Sequence, residues 1–180
     1  CEGKLLLTKR SDKKMLWPGY WDGTFASHPR EGETYVSSAE RRMPEELGIS
    51  CRMNYLNKFE YHVPYKDIGS ENEICGTLIG TIDSFDESSM IKDEISEIKW
   101  VSPDELTNDL EQNKDTYCPW MALALLFLDY GDNNTLEMMN RFGLVAKDHP
   151  TQWTSSDLKF ACEHTINHHI PNGNDWRLIS

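Results

Sequence analysis

Acidic side chains recur at regular spacing between residues 27 and 49. Glu33 precedes a predicted helix, and that helix carries Glu46 and, at i,i+4 on one face, Arg41 and Glu45. Carboxylates on a rigid helix suit Mg²⁺, which takes oxygen ligands and shares the phosphates of its substrate. In an acidic protein the same residues also fit a solvated helix face, so both interpretations stay open at this point.

The spacing of this segment matches a known motif. Residues 27–49, SHPREGETYVSSAERRMPEELGI, resemble the Nudix box, G-x5-E-x7-R-E-U-x-E-E-x-G-U, in which U is aliphatic. The positions in register are Glu33, Arg41, Met43, Glu45, Glu46, Gly48 and Ile49. Ser27 replaces the glycine, and Arg42 replaces a glutamate that Nudix hydrolases normally use on metal. These departures indicate a subfamily.

Motifs around this segment extend the resemblance. They are W-P-G-x-W (residues 17–21), S-H-P (27–29), the arginine pair (41–42), F-x-Y (59–61), E-N-E (71–73) and P-W-M (119–121). In this order they resemble type 1 isopentenyl-diphosphate isomerases from about Gly3 to Asp129. The resemblance implies a Nudix fold and an enzyme that acts on a diphosphate.

The resemblance also implies a set of metal ligands. His28, Glu71 and Glu73 are expected to hold a divalent ion, and the alternation of the two glutamates puts them on one face of a strand. Glu46 is expected to bind a Mg²⁺ that bridges to the substrate. Mg²⁺ is the expected cofactor, with Mn²⁺ or Zn²⁺ as alternatives at the first site.

The same comparison assigns binding residues. Arg10, Lys14 and Arg41 are expected to bind the diphosphate, although Arg10 and Lys14 also fit an ordinary solvated loop. Trp120 matches a tryptophan whose π-face steadies a carbocation, and core packing explains it nearly as well. A local cation cluster would hold an anionic substrate despite the acidic net charge.

Isomerisation of such a diphosphate needs one proton added and another removed, hence two acid/base groups. Glu73 and Tyr61 match one group, but the position of the family's cysteine is Ala26, whose methyl group transfers no proton. Our leading hypothesis is therefore Mg²⁺-dependent hydrolysis of a diphosphate linkage, with a carboxylate such as Glu45 as the base. The alternatives are an isomerase with a compensated Ala26 and a non-catalytic prenyl-diphosphate binding module.

Composition limits the classes of molecule that the protein is expected to bind. The 180 residues carry a formal charge of −12, which disfavours a nucleic-acid partner, and no apolar run approaches the roughly 18 residues of a membrane span. Five scattered cysteines without a C-x-x-C pair favour a reducing cytoplasm. We expect a small-molecule diphosphate substrate, a monomer or homodimer, and further residues upstream of Cys1.

Patterning predicts the elements that position these residues. Strands are expected at 4–9, 21–25, 54–63, 73–82 and 98–101. Helices are expected from Thr34 to a Gly48 cap with a distortion at Pro44, from Ser102, and over 119–128, with a weak helix at 136–142. The fold class is α/β (α+β): a Nudix-type mixed sheet between helices at 1–129, then a helical or irregular extension of unknown role at 130–180. His164 and His168 in that extension are weak metal candidates.

Overall fold

Six strands and two helices make up the described part of the protein. The computed structural model describes residues 3–121, 124–125 and 168–169. In chain order the elements are β1 (Leu5–Arg10), β2 (Trp21–Asp22), α1 (Tyr35–Leu47), β3 (Met53–Tyr65), β4 (Gly69–Gly80), β5 (Ile95–Val101), α2 (Pro103–Asn113) and β6 (His168–His169), with short 3₁₀ turns at Glu87–Ser89 and Lys114–Thr116. The expected α/β class is confirmed.

The strands form two three-stranded sheets with the orders β2-β1-β5 and β4-β3-β6. All the strand pairs described are antiparallel, and an isolated parallel bridge joins Trp21 to Tyr117. The expected mixed sheet therefore takes the form of two antiparallel sheets with one parallel bridge. Because β2 has only two residues, the chain beyond it is held to β1 by side chains: Thr8 donates to the Gly23 carbonyl and Thr24 to the Leu6 carbonyl.

The β3–β4 hairpin is longer than the sequence pattern predicts. Met53 pairs with Gly80 at one end, and Tyr65 pairs with Gly69 at the turn. Phe59, Tyr61, Val63 and Tyr65 alternate along β3 and are all buried, so one face of the hairpin packs into the core. Polar residues 70–72 pair with residues 62–64 through backbone bonds, which apolar patterning does not detect.

Helix α1 begins after a Thr34 cap and ends at the predicted Gly48 cap. The Thr34 side chain accepts from the Ser37 N–H at 3.1 Å, and the Ser37 hydroxyl accepts from the Thr34 N–H at 2.9 Å. Gly48 adopts the left-handed conformation (φ 68°) and donates to the Pro44 carbonyl. The helix continues through Pro44 to Leu47 and buries Ala39, Met43 and Leu47.

The second predicted helix is also confirmed. Ser102 caps α2 and forms a reciprocal pair of hydrogen bonds with Glu105. Residues 119–121 and 124–125 are helical, within the predicted 119–128 segment. The predicted helix at 136–142 and His164 lie outside the described residues, whereas His168 belongs to β6.

Two buried clusters form the core. The larger joins the inner face of β3 to β1, α2 and aromatic residues such as Trp17 and Tyr117. The smaller joins Met43 and Leu47 of α1 to Ile95 of β5. Within the described residues, no helix has both the length and the apolarity needed to span a membrane.

Gly48 supplies a stability test. An added Cβ would strain the left-handed backbone by roughly 1–2 kcal/mol, and it would lie 2.5 Å from the Ser89 Cβ. Overpacking of this kind adds roughly 1–3 kcal/mol. We expect Gly48→Ala to lower the free energy of unfolding in urea by more than Gly32→Ala does.

Gly32 is a matched control because its φ is 82° and nothing lies within 4 Å of an added Cβ. Equal losses in the two variants would contradict the close contact between Gly48 and Ser89.

Candidate active site

Three of the predicted site residues meet at the β3–β4 hairpin. Tyr61 and Glu73 are directly paired across the two strands, so their side chains leave the same face. The Tyr61 hydroxyl donates to Glu73 Oε2 at 3.1 Å, and His28 Nε2 lies 2.7 Å from Glu73 Oε1. Both oxygens of one carboxylate are therefore engaged.

The surroundings set opposite proton affinities in this group. The hydrogen bond with His28 lowers the pKa of Glu73 and raises the pKa of His28. Burial, followed by the charge of Glu73, raises the pKa of Tyr61, which is 2 % exposed. At neutral pH the site therefore holds an ionised carboxylate beside a protonated phenol, which is an acceptor beside a donor.

Glu71 lies two residues from Glu73 on the same face of β4. Burial and the neighbouring charge of Glu73 raise its pKa. An imidazole and two carboxylates are suitable ligands for a divalent ion, and two of these three groups are already in contact. No three His, Cys, Asp or Glu side chains among the described residues are arranged to hold such an ion.

Arg10 and Trp120 meet at a buried carboxylate, Asp22. The Trp120 indole donates to Asp22 Oδ1 at 2.8 Å, and Arg10 Nη1 lies 3.4 Å from Asp22 Oδ2. The Arg10 guanidinium also lies over the Trp120 ring, 5.5 Å from its centre. Burial raises the pKa of Asp22, and the charge of Arg10 opposes that rise.

Arg42 forms ion pairs with the carboxylates of α1. Its Nε lies 2.7 Å from Glu46 Oε1 and its Nη1 lies 3.0 Å from Glu45 Oε2. Glu94 approaches the same guanidinium at 3.8 Å and also pairs with Lys14. Burial raises the pKa of Glu46. The residue that departs from the motif thus takes the position of a cation beside Glu45 and Glu46.

Arg41 points toward a different partner. It forms two hydrogen bonds with Glu33, at 2.6 and 3.0 Å, and the pKa of Glu33 falls to about 2, chiefly because of that interaction. It also reaches the His28 carbonyl at 3.5 Å and Glu45 at 3.7 Å. Arg41 therefore links the loop of His28 to α1.

The structure divides the predicted site residues into two groups. The first contains Arg10, His28, Tyr61, Glu71, Glu73 and Trp120, and the second contains Lys14, Glu45 and Glu46 with Arg42 and Glu94. Arg41 connects them through the His28 carbonyl and Glu45.

Three residues that belong to these groups or contact them were not among the predicted site residues: Asp22, Arg42 and Glu94. Asp22 lies between a tryptophan and a glycine in a short strand. An acidic residue in such a strand could have indicated a functional position. Glu94 belongs to an acidic run in an acidic protein and offers no such signal. Arg42 departs from the motif, but its ion pairs depend on the helix geometry and could not be predicted from the motif alone.

A cavity of about 820 Å³ opens beside the first group. Asp22, His28, Glu73 and Trp120 all lie on its wall, as do Ala26 and Cys75. Ala26, where the resemblance places a cysteine, therefore borders the same cavity as Glu73. Burial raises the pKa of Cys75 to about 12, so this thiol keeps its proton at neutral pH.

A capped helix beside a long antiparallel hairpin, with acidic side chains on both, defines a Nudix domain. The family model for the NUDIX domain matches residues 1–121, and the chain belongs to this family. A crystal structure of DR0079 from Deinococcus radiodurans has the same fold, with a TM-score of 0.50 and 21% identity over 62% of this chain and 67% of that one.

Within the family, the chain is similar to proteins named isopentenyl-diphosphate Delta-isomerase. The relative from Halobacterium salinarum is 37% identical over 135 residues, which are 69% of this chain and 60% of the relative. The relative from Haloarcula marismortui is 35% identical over 128 residues, which are 68% of this chain and 67% of the relative. The chain thus spans 60% to 67% of the length of these two relatives. The resemblance inferred from the motifs is confirmed.

Trp120→Phe tests the Asp22 cluster. The variant keeps an aromatic ring but removes the indole donor, which leaves a buried carboxylate oxygen with one partner fewer. Such a loss costs roughly 1–3 kcal/mol. We expect that decrease in the free energy of unfolding, and a further rise in the pKa of Asp22 because the Trp120 hydrogen bond lowers it. Urea unfolding and a ¹³C-NMR titration measure the two effects.

Trp100→Phe is the control, since Trp100 borders the same cavity. A pKa of Asp22 that is the same in both variants would contradict the assigned hydrogen bond.

Proposed function

We propose that this chain is an acid–base enzyme of the isopentenyl-diphosphate isomerase type, acting on a prenyl diphosphate. One observation carries the proposal: hydrogen bonds connect the proposed proton-transfer group, Tyr61, Glu73 and His28, and the last two of these residues lie on the wall of a largely apolar cavity. The similarity to isomerase-named relatives supports it. We therefore rank isomerisation above the hydrolysis that the sequence alone favoured.

The proposed reaction moves a double bond. A proton adds to the terminal alkene carbon, a tertiary carbocation forms, and a proton leaves the carbon next to the diphosphate-bearing carbon. Glu73 is ionised and accepts the departing proton, while the Tyr61 hydroxyl stabilises its carboxylate. Water supplies the first proton, because Ala26 has none to give. Trp120 already faces one cation, Arg10, which supports a role for this ring in stabilising positive charge.

We assign the diphosphate to the cations near this cavity. Arg10 is not part of the wall, but it contacts Asp22 and Trp120, which are. Lys14 pairs with Glu94, so a phosphate would have to compete with that carboxylate. Arg41 is engaged by Glu33, and its proposed contribution is to position the loop of His28 rather than to bind phosphate directly.

We further propose that His28, Glu71 and Glu73 bind a divalent ion, which requires these side chains to rearrange because they do not converge on one point in the structure. Mg²⁺, Mn²⁺ and Zn²⁺ are all compatible with one imidazole and two carboxylates. When bound, the ion would withdraw charge from the ligated carboxylates and the substrate. A second Mg²⁺ at Glu46 fits less well, because Arg42 already pairs with both Glu45 and Glu46.

Ala26 favours a second candidate function, hydrolysis of the diphosphate. Its methyl group offers no proton to the cavity, and hydrolysis needs no thiol. The engagement of Glu45 and Glu46 by Arg42 weighs against this alternative, because a hydrolytic Nudix helix would need these carboxylates for metal and water.

Restoring the thiol separates the two functions. We expect Ala26→Cys to raise the rate of dimethylallyl diphosphate formation from isopentenyl diphosphate by roughly 10²–10⁴-fold, the contribution of one acid/base group. Glu73→Gln in the Ala26→Cys background should abolish that gain. Conversion of isotope-labelled substrate in the presence of Mg²⁺ and Mn²⁺ measures the rate.

Ser27→Cys is the matched control, because it adds a thiol one residue away at a side chain that bonds to Ser38. Release of phosphate or pyrophosphate without isomerisation in every variant would replace the proposal with hydrolysis. Tight binding without any turnover would indicate the non-catalytic module.

Glu94→Gln tests the phosphate site at Lys14. The variant frees Lys14 and Arg42 from a shared carboxylate. Partly exposed ion pairs contribute up to about 1 kcal/mol, so we expect inorganic pyrophosphate to bind roughly two- to fivefold more tightly. Isothermal titration calorimetry measures the change.

Glu97→Gln removes the same charge from the same region, but Glu97 pairs with Lys9 at 2.7 Å instead. If both variants tighten binding equally, the effect is one of net charge and Lys14 is not a specific phosphate ligand.

A further inference from the structure

The cavity is larger than a five-carbon group requires. A cavity of roughly 150 Å³ holds benzene, a six-carbon ligand. The cavity beside Glu73 measures about 820 Å³, more than five times that volume. A five-carbon arm would leave most of this space to water, and apolar wall that stays in contact with water contributes no binding energy.

The wall changes character with distance from the proton-transfer group. Asp22, His28 and Glu73 supply its acidic and basic groups beside Trp120, and the exposed Lys4 is the other charged residue described on the wall. Most of the remaining wall is apolar and includes Phe25, Met43 and Leu78. Methionine side chains adapt to irregular hydrocarbon shapes.

Strand β4 gives the length of this apolar wall. Residues 72–80 all border the cavity, and Glu73 is at one end of this stretch. At roughly 3.3 Å per residue, the strand from Glu73 to Gly80 extends about 23 Å. An isopentenyl arm extends only about 5 Å from the diphosphate oxygen, given one C–O and three C–C bonds of about 1.5 Å set at an angle.

We propose that the site accepts prenyl diphosphates with arms longer than five carbons, of about ten to fifteen carbons. The inference rests on the proposed function, because Glu73 belongs both to the proton-transfer group and to the cavity wall. The diphosphate stays near Arg10, and the arm runs along β4 past Thr77.

Binding of a chain-length series tests this inference. The probes are inorganic pyrophosphate and isopentenyl, geranyl and farnesyl diphosphates, titrated by calorimetry below their micelle concentrations. A buried methylene contributes roughly fourfold in affinity, so five additional carbons are expected to tighten binding at least tenfold after ordering costs. Geranyl and farnesyl diphosphates should also inhibit turnover of isopentenyl diphosphate at correspondingly lower concentrations.

Thr77 supplies a blocking variant and its control. It lies on the Glu73 face of β4, about 13 Å further along the strand at roughly 3.3 Å per residue. Its hydroxyl is buried with no hydrogen-bond partner among the described residues, so Thr77→Val removes no bond and keeps the side-chain volume. We expect Thr77→Phe to weaken farnesyl diphosphate at least tenfold and isopentenyl diphosphate less than twofold, with Thr77→Val unchanged.

The outcomes distinguish this inference from the proposed function. If pyrophosphate and isopentenyl diphosphate bind but affinity does not rise with chain length, the long-arm inference fails while the proposed function stands. If affinity rises with chain length but Thr77→Phe does not change that rise, the arm binds outside the cavity, and the long-arm inference fails. If none of the four probes binds, both fail. Should Thr77→Phe not fold, the wild-type series alone decides.

Discussion

The pairing of β3 with β4 is the constraint on which the candidate site depends. It places Tyr61 opposite Glu73 and Val63 opposite Glu71. A register shift of one residue would turn both glutamates to the other face and bury polar residues in their place. The buried aromatic residues of β3 oppose such a shift, because Phe59, Tyr61 and Tyr65 must all face the core. Packing of the core therefore also aligns the proton-transfer group.

The helix and the approximate positions of the strands along the chain could be predicted from sequence, because each rests on local patterns. The apolar spacing of α1, its Thr34 cap and its Gly48 end are all encoded within a few residues. The ends of the hairpin could not be predicted, since residues 70–72 are polar and pair through their backbones. The grouping of the charged residues could not be predicted either, because Arg42 meets Glu94 only after α1 packs near the segment before β5.

Charge compensation explains how an acidic protein retains a place for an anion. Arg10, Arg41 and Arg42 are each held by carboxylates of their own, Asp22, Glu33 and Glu46. These pairs are partly buried, so the guanidinium groups are oriented before any ligand arrives. The motif residue Glu46 then contributes to the site by holding Arg42, which gives the departure at position 42 a physical role.

Strand β6 has a consequence for the order of folding. His168 and His169 pair with Glu60 and Phe59 on the side of β3 that faces away from β4. An uncovered strand edge invites pairing with other chains and hence aggregation. During synthesis β3 leaves the ribosome long before residues 168–169, so β6 cannot cover this edge until those two residues emerge. The nascent chain therefore exposes a short stretch of strand edge that β6 covers in the folded protein.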